Sequence, residues 1–284
     1  MNFLIDNKGF SLGLFLAIIV LAIPTPEGLS IEAHRTAAIF LLMGTWWATE
    51  AVPVAVTALV PLALFPLLGI VDIQNAADPY ANKTIYLFFG GFLIATAIQK
   101  WDLHKRIALF VLENAGSNGA SLIFGFMLTA AVISMWVMNT ATTIMLLPIG
   151  LAVVSVVKTT VNYLSDEDIE SFQLALLLGI AYGATIGGMS TLIGTGPNGM
   201  LAAFMSDNYG LDISFVDWMK VGVPLSAVML PCSWFILTKV IFKVNFETSS
   251  ETKELLSSMK DELGSLKGPE LKVLIVFFLT AMAW

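Results

Sequence analysis

Apolar residues run along this chain in blocks too long for the strands or amphipathic helices of a soluble domain. The blocks fall near 10–27, 36–50, 52–71, 84–99, 121–157, 172–206 and 221–242, and a last one begins near Leu271. Polar residues, glycines and prolines separate them. A helix needs roughly 20 apolar residues to cross a hydrocarbon core about 30 Å thick, and several blocks reach that length. The pattern predicts an all-α, polytopic membrane protein. Composition agrees, with 57% hydrophobic and 12% charged residues and a mean hydropathy of +0.84. That is more apolar surface than one soluble core of this length could hide.

The punctuation also divides the chain. A first span lies within 1–32, and Asp6 beside Lys8, with no small-residue cleavage site after the apolar run, sets it apart from a signal peptide. A helical region over 33–243 follows, with early spans over about 33–100. Segment 101–116 mixes charged and apolar residues at helical spacing and is expected in the membrane interface. Two longer apolar blocks occupy about 121–206, and a last span covers about 221–242. Phe215–Lys220 is expected at the opposite interface, with Trp218 at headgroup level. Residues 244–268 are polar and rich in Ser, Glu and Lys, and are expected to form a mobile linker before a final segment, 269–284. The closing run LKVLIVFFLTAMAW, at about 1.5 Å per residue, extends about 21 Å, short of a full crossing. The chain is therefore expected to be a fragment of a longer protein.

Charge orients the spans. With the N-terminus in the cytoplasm, most of the 14 basic residues fall at cytoplasmic ends, among them Lys8, Lys105, Arg106, Lys158, Lys239 and Lys267. Only Arg35, Lys83 and Lys220 fall outside, as the positive-inside rule requires. The net charge of −7 comes from acids gathered in loops such as Ser165–Glu170, where they keep the loop in water. The single cysteine, Cys232, excludes a disulfide framework. No nucleic-acid partner is expected.

Two breaks in the apolar pattern carry the candidate chemistry. The first is Ser134-Met-Trp-Val-Met138-Asn139-Thr140-Ala-Thr142-Thr143, midway along 121–157. Two geometries fit it: a pair of full spans with Asn139 and Thr140 at the far surface, or a re-entrant hairpin whose tip stops inside the membrane, where unwound backbone must be buried in protein or line a wet cavity. The second is Ile193-Gly194-Thr195-Gly196-Pro197-Asn198-Gly199, expected to unwind a helix because glycine costs about 1 kcal/mol and proline about 3 kcal/mol in a helix interior. Half-helix N-termini attract anions and freed carbonyls suit a hard cation. Side chains of Asn and Thr add amide donors and hydroxyl oxygens. An Asn-Thr pair that glues helices, or a glycine kink at a close crossing, is the plainer alternative for each break. Gly187-Gly188 and Gly90-Gly91 read as packing positions. Glu50 falls at the inner end of the second span, at the interface or buried in a structural role. His34 and His104 are expected at interfaces, outside any chemistry. GTGPNG lacks the Gly-Lys-Ser/Thr ending of a phosphate loop, and no carboxylate pair, Cys/His cluster or nucleophile elbow appears, so the chain is not read as an enzyme.

The stretches WWATEAVPVAVTALVPLALFPLLGI, SMWVMNTATTIMLLP and IGGMSTLIGTGPN, in this order, resemble the divalent anion:sodium symporter family of dicarboxylate and citrate carriers, from about Ala33 to the end. The resemblance implies an elevator-type transporter with two inverted repeats, each with a re-entrant hairpin and a broken helix; 33–243 would be the first and 269–284 the start of the second. It implies a multi-pass protein of the cell membrane that forms a homodimer when full length, couples transport to sodium and carries a dicarboxylate. Asn139 and Thr140 would contact a substrate carboxylate, with Thr195, Pro197 and Asn198 shaping the second loop. Ser134, Asn139 and the Gly194 carbonyl would hold a sodium ion. Met138 departs from the motif, standing where the family has a serine, and its thioether is a soft, poor sodium ligand. The alternatives are a carrier of sulfate or another inorganic anion, an anion exchanger, or a non-transporting membrane subunit.

Overall fold

The computed structural model describes residues 7–116, 118–266 and 268–283, with the side chain of Thr84 excepted. Asp6, Lys267 and Trp284, which bear on the expectations for the N-terminus, topology and chain end, lie outside the described residues. The described residues form helices and turns with no β-sheet; a single bridge pairs Asn118 with Glu247. Among the described residues four helical stretches, Ile73–Lys100, Asn139–Thr160, Asp166–Gly188 and Phe215–Ile241, are long and apolar enough to cross a membrane. The chain divides into two compact units, Met1–Lys83 and Thr84–Trp284.

In the first unit, α1 (Lys8–Ala22) packs on α2 (Ile31–Thr49). Ala38, Leu42 and Trp46 recur every fourth residue on α2 and turn one face inward. Trp46 stacks on Phe10 at 4.8 Å, and its Nε1 donates to the Phe10 carbonyl at 3.2 Å. The block expected as one span over 52–71 is two short helices, α3 (Val54–Thr57) and α4 (Val60–Leu67). Pro53, Pro61 and Pro66 account for the interruption, since each lacks the N–H that a continuous helix needs. A further short helix, α5 (Ile73–Ala77), follows. Glu50 ends α2 in the left-handed region and is exposed, whereas His34 is buried and within 3.0 Å of Thr25 Oγ1.

The second unit starts within α6 (Lys83–Lys100), from Thr84, and continues with α7 (Leu103–Glu113), the latter matching the expected amphipathic segment. A hairpin of α8 (Gly119–Ser134) and α9 (Asn139–Thr160) follows, then α10 (Asp166–Gly188). Phe126, Met127, Leu146, Val153, Phe172, Leu176 and Ile180 form the centre of its core. Glycines let α10 lie almost against the α8 backbone. A methyl built on Gly183 would sit 2.5 Å from the Met127 carbonyl oxygen, and one on Gly187 would meet the Ala131 carbonyl. Gly179 completes this row at four-residue spacing, the small-residue arrangement by which membrane helices approach closely. Gly91 likewise faces Ile193, while Gly90 faces open space.

Helix α11 (Gly196–Tyr209) leads to α12 (Phe215–Phe235), which continues through a π-helical turn, Ile236–Ile241. Phe215–Lys220, expected at an interface, is thus the first part of this long helix. Residues 244–268, expected as a mobile linker, hold α13 (Ser250–Glu262). Leu255, Leu256, Met259 and Leu263 share one face of it and join the core. Lys260 Nζ bonds Glu113 at 2.5 Å, and Ser249 bonds Thr160 at 2.7 Å. Arg106 spans the next turn: it donates to the carbonyls of Leu263 and Gly264 and to Glu270 at 3.2 Å, at the start of α14 (Gly268–Ala283).

Candidate functional site

The two breaks foreseen in the sequence come together. At the hairpin tip, α8 ends at Ser134 and α9 begins at Asn139, with Met138 as its N-cap. Ser134 is fully buried, and its hydroxyl donates to Asn139 Oδ1 at 2.7 Å and, more loosely, to the Val137 carbonyl at 3.3 Å. Thr142 is buried beneath the same carbonyl. Asn139 is half-buried, and Thr140, next along the first turn, is exposed.

The helix break lies earlier than the sequence suggests. Helix α10 ends at Gly188, residues 189–195 are unwound, and α11 already begins at Gly196, so that Gly196-Pro197-Asn198-Gly199 forms its first turn. Proline is compatible with that position because the first amides of a helix have no intrahelical acceptor. Asn198 is 7% exposed and turns back on the loop, its Nδ2 donating to the carbonyls of Gly188 at 2.9 Å and Thr191 at 2.7 Å. Pro197 is exposed and Thr195 half-buried.

Glycine allows the two breaks to meet. A methyl on Gly188 would collide with the Asn139 amide, and one on Gly194 would collide with the Gly188 carbonyl and stand 2.9 Å from the Ser134 carbonyl oxygen. Thr191 links them further: its hydroxyl donates to the Met135 carbonyl at the hairpin tip and accepts from the Gly194 amide at 3.1 Å. Ser134, Asn139, Gly188, Thr191, Gly194 and Asn198 therefore form one connected group. Thr140 and Pro197 stand on its exposed side. The roles of Thr191, Gly188 and Trp218 were not foreseen from the sequence. Trp218 Nε1 donates to the Met189 carbonyl at 2.9 Å, a tertiary contact without a local signal. Thr191 carried one, as a polar residue inside the stretch GGMSTLIG.

Two chemical properties follow. The N-termini of α9 and α11 both lack a side-chain cap: Met138 has no oxygen to offer, and Thr195 makes no capping bond. Asn7, Ser30, Asn118, Ser165 and Ser214 cap α1, α2, α8, α10 and α12, whereas α3, α4, α7 and α13 are uncapped as well. Uncapped N–H groups and the positive ends of two helix dipoles suit an anion. Beside them, Ser134 Oγ, Asn139 Oδ1 and the carbonyls of Ser134 and Gly188 gather neutral oxygens, the donor type a hard cation takes. Among the described residues no three His, Cys, Asp or Glu side chains cluster as a transition-metal site. Nearby, His104 is buried and lines a small cavity with Trp136, Val137, Leu274 and Phe277. Its Nδ1 lies 3.3 Å from the Ile98 carbonyl.

Residues 6–284 match the family described as the sodium:sulfate symporter transmembrane region. The chain is similar to the sodium-dependent dicarboxylate transporter SdcS of Staphylococcus saprophyticus subsp. saprophyticus, with 37% identity over 277 residues, 97% of this chain and 53% of the relative. Two SdcS proteins from strains of Staphylococcus aureus are 36% identical over the same share of each chain. The chain thus spans about half the length of the curated relatives it matches. Those relatives are named as transporters, not enzymes.

Proposed function

Given that the chain belongs to the family of the sodium:sulfate symporter transmembrane region, a family of multi-pass membrane transporters, we propose that it carries one sodium site and one anion-binding surface of a sodium-coupled dicarboxylate carrier. The observation that carries this reading is the meeting of the hairpin tip with the helix break. There two uncapped helix N-termini adjoin a cluster of neutral oxygens. In the reading, Asn139 and Thr140 meet a substrate carboxylate together with the free amides of α9. Thr195, Pro197 and Asn198 present the α11 N-terminus to the same anion. Sodium, carried as co-substrate, sits among Ser134, Asn139 and the Gly194 carbonyl. Neutral ligands leave the ion's positive charge uncancelled, which favours an anion beside it and supplies a physical basis for coupling.

The names of the SdcS relatives support a dicarboxylate. Of the two hairpin arms, α8, at 16 residues and about 24 Å, is short for a full crossing and favours a re-entrant tip, while α9, at 22 residues, is long enough to cross. The reading extends to an elevator-type inverted-repeat fold, a cytoplasmic N-terminus, contact with the lipid bilayer and a homodimer of the complete transporter. The family description favours one second reading, a sulfate carrier, since sulfate presents similar anionic oxygens. Uptake of labelled succinate into vesicles bearing this chain in the context of the complete transporter, with sodium or potassium outside, tests both. Sodium-stimulated uptake that falls at least about 100-fold in Asn139→Ala, equivalent to about 2.7 kcal/mol, supports the dicarboxylate reading. Uptake of sulfate without succinate points to the second.

A further inference from the structure

The helix break is held open from outside by one face of α12. Trp218, Gly222 and Ser226 recur every fourth residue on that helix and so lie above one another along one stripe. Each meets a different part of the unwound segment. Trp218 Nε1 donates to the Met189 carbonyl at 2.9 Å. Gly222 lies beneath the next peptide: a methyl there would stand 2.7 Å from the Met189 oxygen, 2.9 Å from the Ser190 oxygen and 3.0 Å from Ser190 Cα. Ser226 donates to the Ile186 carbonyl at 2.8 Å and accepts from the Ser190 hydroxyl at 2.8 Å. Both serines are buried, at 8% and 2% exposure. Where α10 stops, its last carbonyls lose their intrahelical donors, and this stripe replaces two of them.

We propose that Trp218, Gly222 and Ser226 are positioning residues that set the affinity of the sodium site without touching the ion. The inference rests on the sodium reading given above. Residues 189 and 190 lie between Gly188, whose carbonyl belongs to the oxygen cluster, and Thr191, which fixes both the hairpin tip and the Gly194 amide. A shift of the 189–190 peptides therefore moves the oxygens on either side. A site of neutral oxygens has no ligand charge to tolerate such displacement, so its affinity depends on where the backbone is held. Outer-shell groups that orient metal ligands typically change affinity by roughly 10–100-fold when removed.

The test is thermal unfolding of the purified chain in detergent, with sodium chloride titrated against potassium chloride at constant ionic strength. Ligand binding raises the melting temperature as the site fills, so the sodium concentration that gives half the effect reads affinity. Ser226→Ala, Trp218→Phe and Gly222→Ala should each move that midpoint upward by roughly 10–100-fold. Ser226→Thr keeps the hydroxyl and should retain the parent midpoint. A purely structural brace would lower melting equally in both salts and leave the midpoint where it was; that result, in Ser226→Ala and Trp218→Phe, overturns the proposal. A parent chain with no sodium response removes the sodium reading and this inference together, which distinguishes the two failures.

Discussion

Met138 is the residue on which the anion and cation halves of the site turn. It is the N-cap of α9 and 54% exposed, and it offers no oxygen to the amides behind it. A serine there would accept one of those amides, a gain of about 1 kcal/mol, and would place an oxygen next to Asn139. Met138→Ser is expected to raise the melting temperature in potassium and, in addition, to lower the sodium midpoint. A rise in potassium alone would mean that the hydroxyl is committed to capping. Asn198 acts differently. Its amide supplies donors to two carbonyls of the unwound loop, so Asn198→Ala leaves both without that donor. A loss of about 1–3 kcal/mol for each buried acceptor is expected, read as a lower unfolding free energy in either salt. Asn139 and Ser134 were legible in the sequence because polar residues deep in an apolar block demand partners. Thr191 is polar within an apolar block too, but a threonine there can also satisfy itself on its own helix. Its partner, the Met135 carbonyl, lies 56 residues away, so the residue's polarity is legible locally but its bond is not.

Among the elements, the α8–α10 crossing determines whether the two breaks can meet at all. Gly183 and Gly187 bring the α10 backbone onto Met127 and Ala131, and this approach carries Gly188, the last residue of α10, against the Asn139 amide. Gly183→Ala forces a methyl into a backbone carbonyl and should destabilise by about 1–3 kcal/mol. Gly90→Ala, where nothing lies within 4 Å, should instead stabilise by up to about 1 kcal/mol through helix propensity. Opposite signs in denaturation would establish the crossing. Element α7 adds a titratable group. Burial holds the His104 imidazole below its ordinary pKa, opposed by the Ile98 carbonyl and Asp102, and aided by Lys105. The folded state therefore binds its proton less readily than the unfolded chain. Stability is complete above the ordinary imidazole value of about 6.5 and falls as pH drops from there toward the lower folded value. His104→Gln should flatten that part of the pH–stability profile.

At the scale of the whole molecule, hydropathy announced the spans but misjudged segments whose order comes from tertiary contact. Residues 250–262 are too polar for the membrane, yet Leu255, Leu256, Met259 and Leu263 make a face that the α7–α9 surface covers. A polar stretch looks like a linker until the surface that receives its few leucines is known. The orientation of the spans rests on charge alone and is open to direct measurement. The single cysteine, Cys232, is exposed, so Cys232→Ser gives a background for single-cysteine variants. Lys83, Lys105, Lys158 and Lys220 are all exposed and are apportioned by the positive-inside rule. Cysteines at 83 and 220 should react with an impermeant maleimide added to intact cells, and cysteines at 105 and 158 only after permeabilisation. The reverse pattern would invert the topology and place the hairpin's entry on the outer face. Because α8 and α9 leave and return on the same side in either hairpin geometry, the decisive position is Asn139. A re-entrant tip predicts that a cysteine there reacts much more slowly from outside than one at 220, whereas two full spans predict equal rates.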